Sequence, residues 1–297
     1  METYINFNGI IYRSENQMLS IQNRAFRYGD ALFETMHANG TEIQFFETHI
    51  KRLLTSMRAL KMNIPPKFFS AKAGLDYEIT RLLNRNKHYQ GARVRVTVFR
   101  NDGGFYTPET QDVSFVIESE ALKTDEYTLN TAGYKMTDFM NIQKPVNMLS
   151  NLKSANALLY TLAGIQTKDS GFDDCFIYND KGFLCETISS NIFLVKKNVM
   201  MTPPLQDGCI DGVMRRQILR IAPKLGYDLV FEQSVKPSYL LSAEEVFITN
   251  AVTGIRWVGA YKERRYFNQA ARALTEAINN ELFAIKRKPQ LLSMQAV

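Results

Sequence analysis

The chain has 297 residues, 45% of them hydrophobic and 22% charged, close to globular averages of roughly 45–50% and 25%. This composition excludes a disordered chain, a collagen-like repeat and a disulfide-dense miniprotein. Lys and Arg number 36 against 30 Asp and Glu, for a net charge of +6; the signs are interspersed, so no block of charge points to nucleic acid.

The densest basic run, Ile285-Lys286-Arg287-Lys288, is short, and the basic excess reads as solvated surface plus a few arginines kept for an anionic ligand. Cys175, Cys185 and Cys209 are odd in number and form no CxxC, which argues against a disulfide framework or a zinc site. Buried, inert thiols in a reducing, cytoplasmic setting are the expectation. His37, His49 and His88 are scattered, so no metal centre is expected. Met1 to Ile10 lack a basic stretch followed by an apolar core, and no run of ~18 apolar residues occurs, so neither a secretory leader nor a membrane span is expected.

In chain order, Asn6 to Ile11 reads as a strand. Thr48 to Met62 reads as an amphipathic helix capped by Thr48, with Ile50, Leu53, Leu54, Met57 and Leu60 at helical spacing. Pro65 and Pro66 end it, and a second helix is expected over Lys67 to Asn84. Ala92 to Arg100 alternates strictly: Val94, Val96 and Val98 share one face, Arg93, Arg95, Thr97 and Phe99 the other. Asn101 to Gly104 signals a turn, and Val113 to Glu118 is a further strand.

The polar stretch 119–126 reads as a linker between a smaller α+β domain, 1–118, and a larger one, 127–297, which carries Lys153. In the second half, Asp174 to Asn179, Asn191 to Lys196 and Glu245 to Thr249 read as strands. Asp211 to Leu225 reads as a helix opened by Gly212, and Asn268 to Ile285 as a final amphipathic helix. The fold class is mixed α/β.

Four segments of the second half stand out by their order: Leu152-Lys153-Ser154-Ala155-Asn156; Glu186-Thr187-Ile188-Ser189-Ser190-Asn191; Cys209-Ile210-Asp211-Gly212-Val213-Met214-Arg215; and Asn250-Ala251-Val252-Thr253-Gly254-Ile255. Each is weak alone. Arg52 by itself reads as a solvated residue on a polar helix face, and Met214 as core. Together with Arg27 to Thr35, which contains Gly29-Asp30-Ala31-Leu32-Phe33-Glu34-Thr35, the chain resembles the class IV (fold type IV) pyridoxal-phosphate enzymes. These include branched-chain and D-amino-acid aminotransferases and aminodeoxychorismate lyases. The resemblance runs from about Asn6 to Arg264.

It implies a two-domain fold like that of the D-amino-acid aminotransferases, a homodimer and the cofactor pyridoxal 5'-phosphate. Lys153 would supply the Schiff-base amine, which must lose its proton to attack a carbonyl. Glu186 would face the pyridine nitrogen and favour its protonated, electron-withdrawing form. Gly212, Val213 and Met214 would offer backbone donors to the phosphate at a helix N-terminus, with Arg52 as its arginine fork. Ile210 would lie against the cofactor ring, and Asn250 and Ala251 also fall on cofactor-binding positions. Phe33, Arg93 and Arg95 would meet a substrate that carries a carboxylate.

Within the family, the three-residue step from Lys153 to Asn156 resembles the D-amino-acid enzymes and the lyases. Met214 in the phosphate turn resembles the lyases, as do Asn250-Ala251 and Gly254-Ile255. The expected reaction is therefore that of an aminodeoxychorismate lyase, which releases pyruvate and 4-aminobenzoate and belongs to folate biosynthesis. The alternative is transamination between an amino acid, branched-chain or D-configured, and a 2-oxo acid. One feature departs from the lyases: the loop Gly103-Gly104-Phe105-Tyr106 lacks the arginine they often carry there.

Overall fold

The computed structural model describes residues 2–16, 18–69 and 74–294, with side chains omitted for 284–294. Two compact units are present. One comprises Met1–Asp125 and Leu152–Ala157; the other comprises Glu126–Asn151 and Leu158–Val297.

The first unit contains β1 (Tyr4–Phe7), β2 (Ile10–Arg13), α1 (Arg24–Tyr28), β3 (Ala31–Asn39), β4 (Glu42–Ile43), α2 (Phe46–Ala59), α3 (Leu75–Arg85), β5 (Gly91–Arg100) and β6 (Val113–Ala121). The strands form one sheet in the order β2-β1-β6-β5-β3-β4. Its centre follows the alternation of β5. Val94, Val96 and Val98 are fully buried and lie opposite Met36, Glu34 and Leu32 of β3, so this face meets Leu53 and Met57 of α2 and Ile79 and Leu82 of α3 in one apolar core.

Four expectations are adjusted here. The strand expected from Asn6 to Ile11 is a hairpin of two strands, because Asn8 and Gly9 both take positive φ at its turn. α2 starts before Thr48: Phe45, in the left-handed region at φ 55°, precedes its first residue. The helix expected over Lys67 to Asn84 is a short 3-10 turn, Pro66–Phe69, followed by α3; residues 70–73 of that span lie outside the described residues. β6 runs through Ala121, into the polar stretch expected as linker.

The second unit contains β7 (Tyr134–Lys144), α4 (Leu158–Asp169), β8 (Asp174–Asn179), β9 (Leu184–Thr187), β10 (Asn191–Lys196), β11 (Val199–Met201), α5 (Val213–Ile221), β12 (Asp228–Val230), α6 (Ser238–Ser242), β13 (Glu245–Asn250), β14 (Gly254–Tyr261), β15 (Arg264–Arg265) and α7 (Gln269–Met294). The sheet order is β12-β11-β10-β13-β14-β7-β8-β9, with β15 paired to β14. Most neighbours are antiparallel, but β7 is parallel to both β14 and β8, and β11 to β12. The helix expected over Asp211 to Leu225 is α5 plus a 3-10 turn, Ala222–Leu225. The break falls between Ile221 and Ala222, just before Pro223, which has no N–H to give. All three cysteines are buried free thiols. Burial pushes the Cys175 thiol up to about 11 and that of Cys209 to about 12, so neither ionises at neutral pH.

Candidate active site

In the first unit, the segment Leu152–Ala157 returns to lie along β3. The amide of Phe33 donates to the carbonyl of Lys153 at 2.9 Å, and the amide of Ala155 donates to that of Ala31 at 2.9 Å. The backbone of Lys153 is thus fixed by a sheet strand rather than left on a loop. Its Nζ lies 4.4 Å from the centroid of the Phe33 ring, and the guanidinium carbon of Arg95 lies 3.8 Å from the same centroid. Both are cation–π distances.

Arg95 stands opposite Glu118 and Arg93 opposite Glu120 in the β5–β6 register, with ion-pair distances of 4.0 and 3.5 Å. Opposite charges facing across strands are mildly stabilising. Both arginines are partly buried, not fully solvated. Arg93 lies one pleat further along β5, opposite His37. The loop after β5 is held by Arg24: its Nη1 donates to the carbonyls of Gly103, Gly104 and Phe105 at 3.0, 3.3 and 2.6 Å, while its Nε donates to Asp30 at 2.9 Å.

Arg52 overturns the expectation of a solvated side chain. It is buried because Glu34 receives it: Nε donates to Oε1 at 2.8 Å and Nη2 to Oε2 at 2.5 Å. His49, three residues earlier on α2, lies with Nδ1 2.6 Å from the same Oε2. Burial would push the Glu34 carboxyl up, but the Arg52 charge and the hydrogen bonds from His49 and Arg52 outweigh it and hold it at about 2. Burial keeps the His49 ring neutral, against the pull of Glu34. A neutral ring that donates from Nδ1 carries its lone pair on Nε2, and that nitrogen is buried without a hydrogen-bond partner.

In the second unit, Glu186 at the end of β9 is buried. Its Oε1 accepts from Lys144 Nζ and, at 2.6 Å, from the Tyr160 hydroxyl. Its Oε2 accepts the amide of Ile210 at 2.8 Å. Asp174 steadies the next two residues, taking Thr187 Oγ1 at 3.0 Å and the Ile188 amide at 3.3 Å, and burial pushes its carboxyl up to about 6.

Asn191 Nδ2 donates to the Ile210 carbonyl at 2.8 Å. A Cβ on Gly212 would stand 1.9 Å from Asn191 Oδ1, so glycine is required by close approach. Gly212 precedes α5, whose N-terminus has no side-chain cap; Val213 and Met214 form its first turn. Asp211, just before, is tied back to Arg216, with Nε to Oδ1 at 2.9 Å. Asn191 also pairs with Thr249, which brings in the turn after β13. There Asn250 Oδ1 accepts the amides of Val252 and Thr253 at 3.0 and 2.9 Å, Asn250 Nδ2 donates to Ser190 Oγ at 3.1 Å, and the Ala251 carbonyl takes the Tyr127 hydroxyl at 2.9 Å. Glu186, Ile210, Gly212, Val213, Met214, Asn250 and Ala251 therefore belong to one connected set within this unit.

The profile of the class IV amino-transferases matches residues 31–261. The chain belongs to this family. A Methanocaldococcus jannaschii protein assigned as a branched-chain-amino-acid aminotransferase is 27% identical to it over 285 residues, 96% of each chain. Two solved structures share the fold. The branched-chain aminotransferase of Thermoproteus uzoniensis has a TM-score of 0.84 at 21% identity, covering 94% of each chain. The 4-amino-4-deoxychorismate lyase of Pseudomonas aeruginosa has a TM-score of 0.78 at 23% identity, covering 94% of this chain and 99% of that one. The fold is thus that of the fold type IV pyridoxal-phosphate enzymes.

The donor sets fit the cofactor of class IV aminotransferases, pyridoxal 5'-phosphate. A carboxylate accepts about four hydrogen bonds; Glu186 takes three from protein groups, which leaves room for a ring N–H. The uncapped start of α5 carries the positive end of a helix dipole, suited to a phosphate. Glu34, His49, Lys144 and Tyr160 were not singled out from sequence. Glu34 and His49 each fall inside or beside a quoted segment, but their pairing across 15 residues has no local signal. Among the described residues, no helix is long and apolar enough to cross a membrane.

Proposed function

We propose that this chain is a pyridoxal-phosphate enzyme that acts on an amino substrate carrying two carboxylates, with aminodeoxychorismate cleavage as the leading reading. The observation that supports it is the trio Arg95, Phe33 and Lys153, in which an amine and a guanidinium share one aromatic ring. Arg93 adds a second cation on the same face of β5. The counter-ions Glu118 and Glu120 are half or more exposed. Exposed pairs contribute only ~0–1 kcal/mol, so a substrate carboxylate displaces them at little cost. Two arginines suit two carboxylates better than the single one of a branched-chain amino acid.

When bound, pyridoxal phosphate supplies the electron sink for a developing carbanion. In this proposal Lys153 is the amine that would hold the cofactor, and the same amine would carry the proton of the reaction. Glu186 would hold a proton on the ring nitrogen. By the family resemblance, Arg52 in the first unit and, in the second, the amides of Gly212, Val213 and Met214 and the Asn250–Ala251 turn would serve the phosphate, and Ile210 would serve the ring. Transamination is the second reading, favoured by the Methanocaldococcus relative and by the lack of an arginine at 103–106; the nearby Arg24 is engaged instead with Asp30 through Nε and with the loop carbonyls through Nη1.

The test is an absorbance titration of the purified protein. A yellow protein whose colour is lost in Lys153→Ala supports the family chemistry; a colourless protein that cannot be reconstituted overturns it. Pyruvate release from enzymatically made aminodeoxychorismate, with no spectral change on D- or L-amino acids, supports the lyase. Conversion to the pyridoxamine form by an amino acid supports the transaminase.

A further inference from the structure

The buried carboxylate of Glu34 has no part in the assignments above. It sits on β3 between Leu32 and Met36, on the sheet face that meets the apolar core, where an apolar side chain would fill the same place without burying charge. A buried carboxylate is tolerated only when fully partnered, and Glu34 is: two donors come from Arg52 and one from His49. The guanidinium is a rigid planar fork. With Nε and Nη2 both committed to Glu34, the plane of the guanidinium is fixed relative to β3. The adjacent residue on β3, Phe33, holds the backbone of Lys153 at 2.9 Å and lies beneath its amine. One strand therefore fixes both Lys153 and, through Glu34, Arg52.

We propose that Glu34 is a positioning residue for the phosphate of the cofactor: it locks Arg52 to the strand that carries Lys153 and so sets the spacing between the phosphate-binding fork and the lysine amine. This rests on the reading of Arg52 as the phosphate arginine. His49 completes the device, since its Nδ1–H occupies the remaining position on Oε2 and keeps the carboxylate from rotating.

The test compares pyridoxal 5'-phosphate with pyridoxal, which lacks the phosphate, as ligands of the full-length protein stripped of cofactor. Arg52→Gln is expected to weaken pyridoxal phosphate about 100-fold, the scale of losing a bidentate charge-assisted contact, and to leave pyridoxal unchanged. Glu34→Gln is expected to weaken pyridoxal phosphate about tenfold, again with pyridoxal unchanged. Because Glu34 acts through Arg52, the double variant is expected to bind no more weakly than Arg52→Gln alone. Glu34→Asp, which keeps the charge but shortens the reach, is expected to show the same selective loss and serves if Glu34→Gln does not fold. The proposal is overturned if the Glu34 variants weaken both ligands equally, weaken neither, or add their effect to that of Arg52→Gln. If Arg52→Gln leaves pyridoxal phosphate affinity intact, the phosphate reading itself fails, whatever the Glu34 variants do.

Discussion

The Tyr160 hydroxyl lies 2.6 Å from Glu186 Oε1, the oxygen that also receives Lys144 Nζ. α4 and β7 thus converge on one atom of a buried carboxylate. Burial and the neighbouring Glu186 charge both push the Tyr160 phenol up, so it stays a donor at any working pH. Tyr160→Phe is expected to cost ~1.5–3 kcal/mol, the range for a hydrogen bond to a charged group. Urea unfolding followed by circular dichroism measures it, and an unchanged midpoint would show that the hydroxyl contributes nothing.

Lys144 faces Glu186 with both side chains less than a tenth exposed. Removing one partner of such a pair strands a charge and typically costs 3–5 kcal/mol. Lys144→Met is expected to lower the unfolding midpoint on that scale, whereas Lys144→Arg is expected to keep most of the stability. Adding Glu186→Gln to Lys144→Met should recover part of the loss, because the stranded charge is gone. A double variant as unstable as the sum of its parts would refute the pairing as its source.

The outlines of both sheets were legible where apolar residues alternate or run on. β5 shows Val94, Val96 and Val98 at period two, and β10 matches its expected span, Asn191–Lys196, because five of its six residues are buried. β7 was not legible. Its sequence mixes Asp138, Asn141 and Gln143 among apolar residues, and Asp138 is held by the hydroxyls of Tyr178 and Tyr261, 40 and 123 residues on. The site divides in the same way. Lys153, Glu186 and Gly212 stand in ordered motifs, while Arg52 was read as solvated because its partner, Glu34, sits 18 residues earlier on a strand. A glutamate inside an alternating strand reads as surface until the helix that covers it is known.

Gly212 tests the close approach in the phosphate turn. A Cβ there meets Asn191 Oδ1 at 1.9 Å, so Gly212→Ala must push the Asn191 side chain off the Ile210 carbonyl. The φ of Gly212 is −68°, open to alanine, so the obstacle is contact and not backbone strain. Gly212→Ala is expected to cost ~1–3 kcal/mol, through overpacking and the lost hydrogen bond. Asn191→Ala combined with Gly212→Ala is expected to be less destabilised than the sum of the two single variants. Thermal unfolding of the four proteins reads this directly, and strict additivity would refute it.

Glu34 gives the first unit a defined acid sensitivity. Its carboxyl is held at about 2 against a reference of 4.5. A carboxyl depressed on folding stabilises the folded state above its unfolded value, and that contribution is lost as pH falls through the folded value. The full effect is therefore present at pH 7 and drains away from about pH 4.5 towards about pH 2, reaching roughly 3 kcal/mol at most. Glu34→Gln removes this titration and also leaves Arg52 buried without its counter-charge, so the variant is expected to be less stable by ~3–5 kcal/mol at pH 7. Between pH 5 and pH 3 the gap between the two proteins is expected to narrow, since only the wild type loses this term. Urea midpoints at pH 7, 5, 4 and 3 trace the gap. A gap that stays constant down to pH 3 would mean that Glu34 is not the carboxylate whose charge holds Arg52 in place.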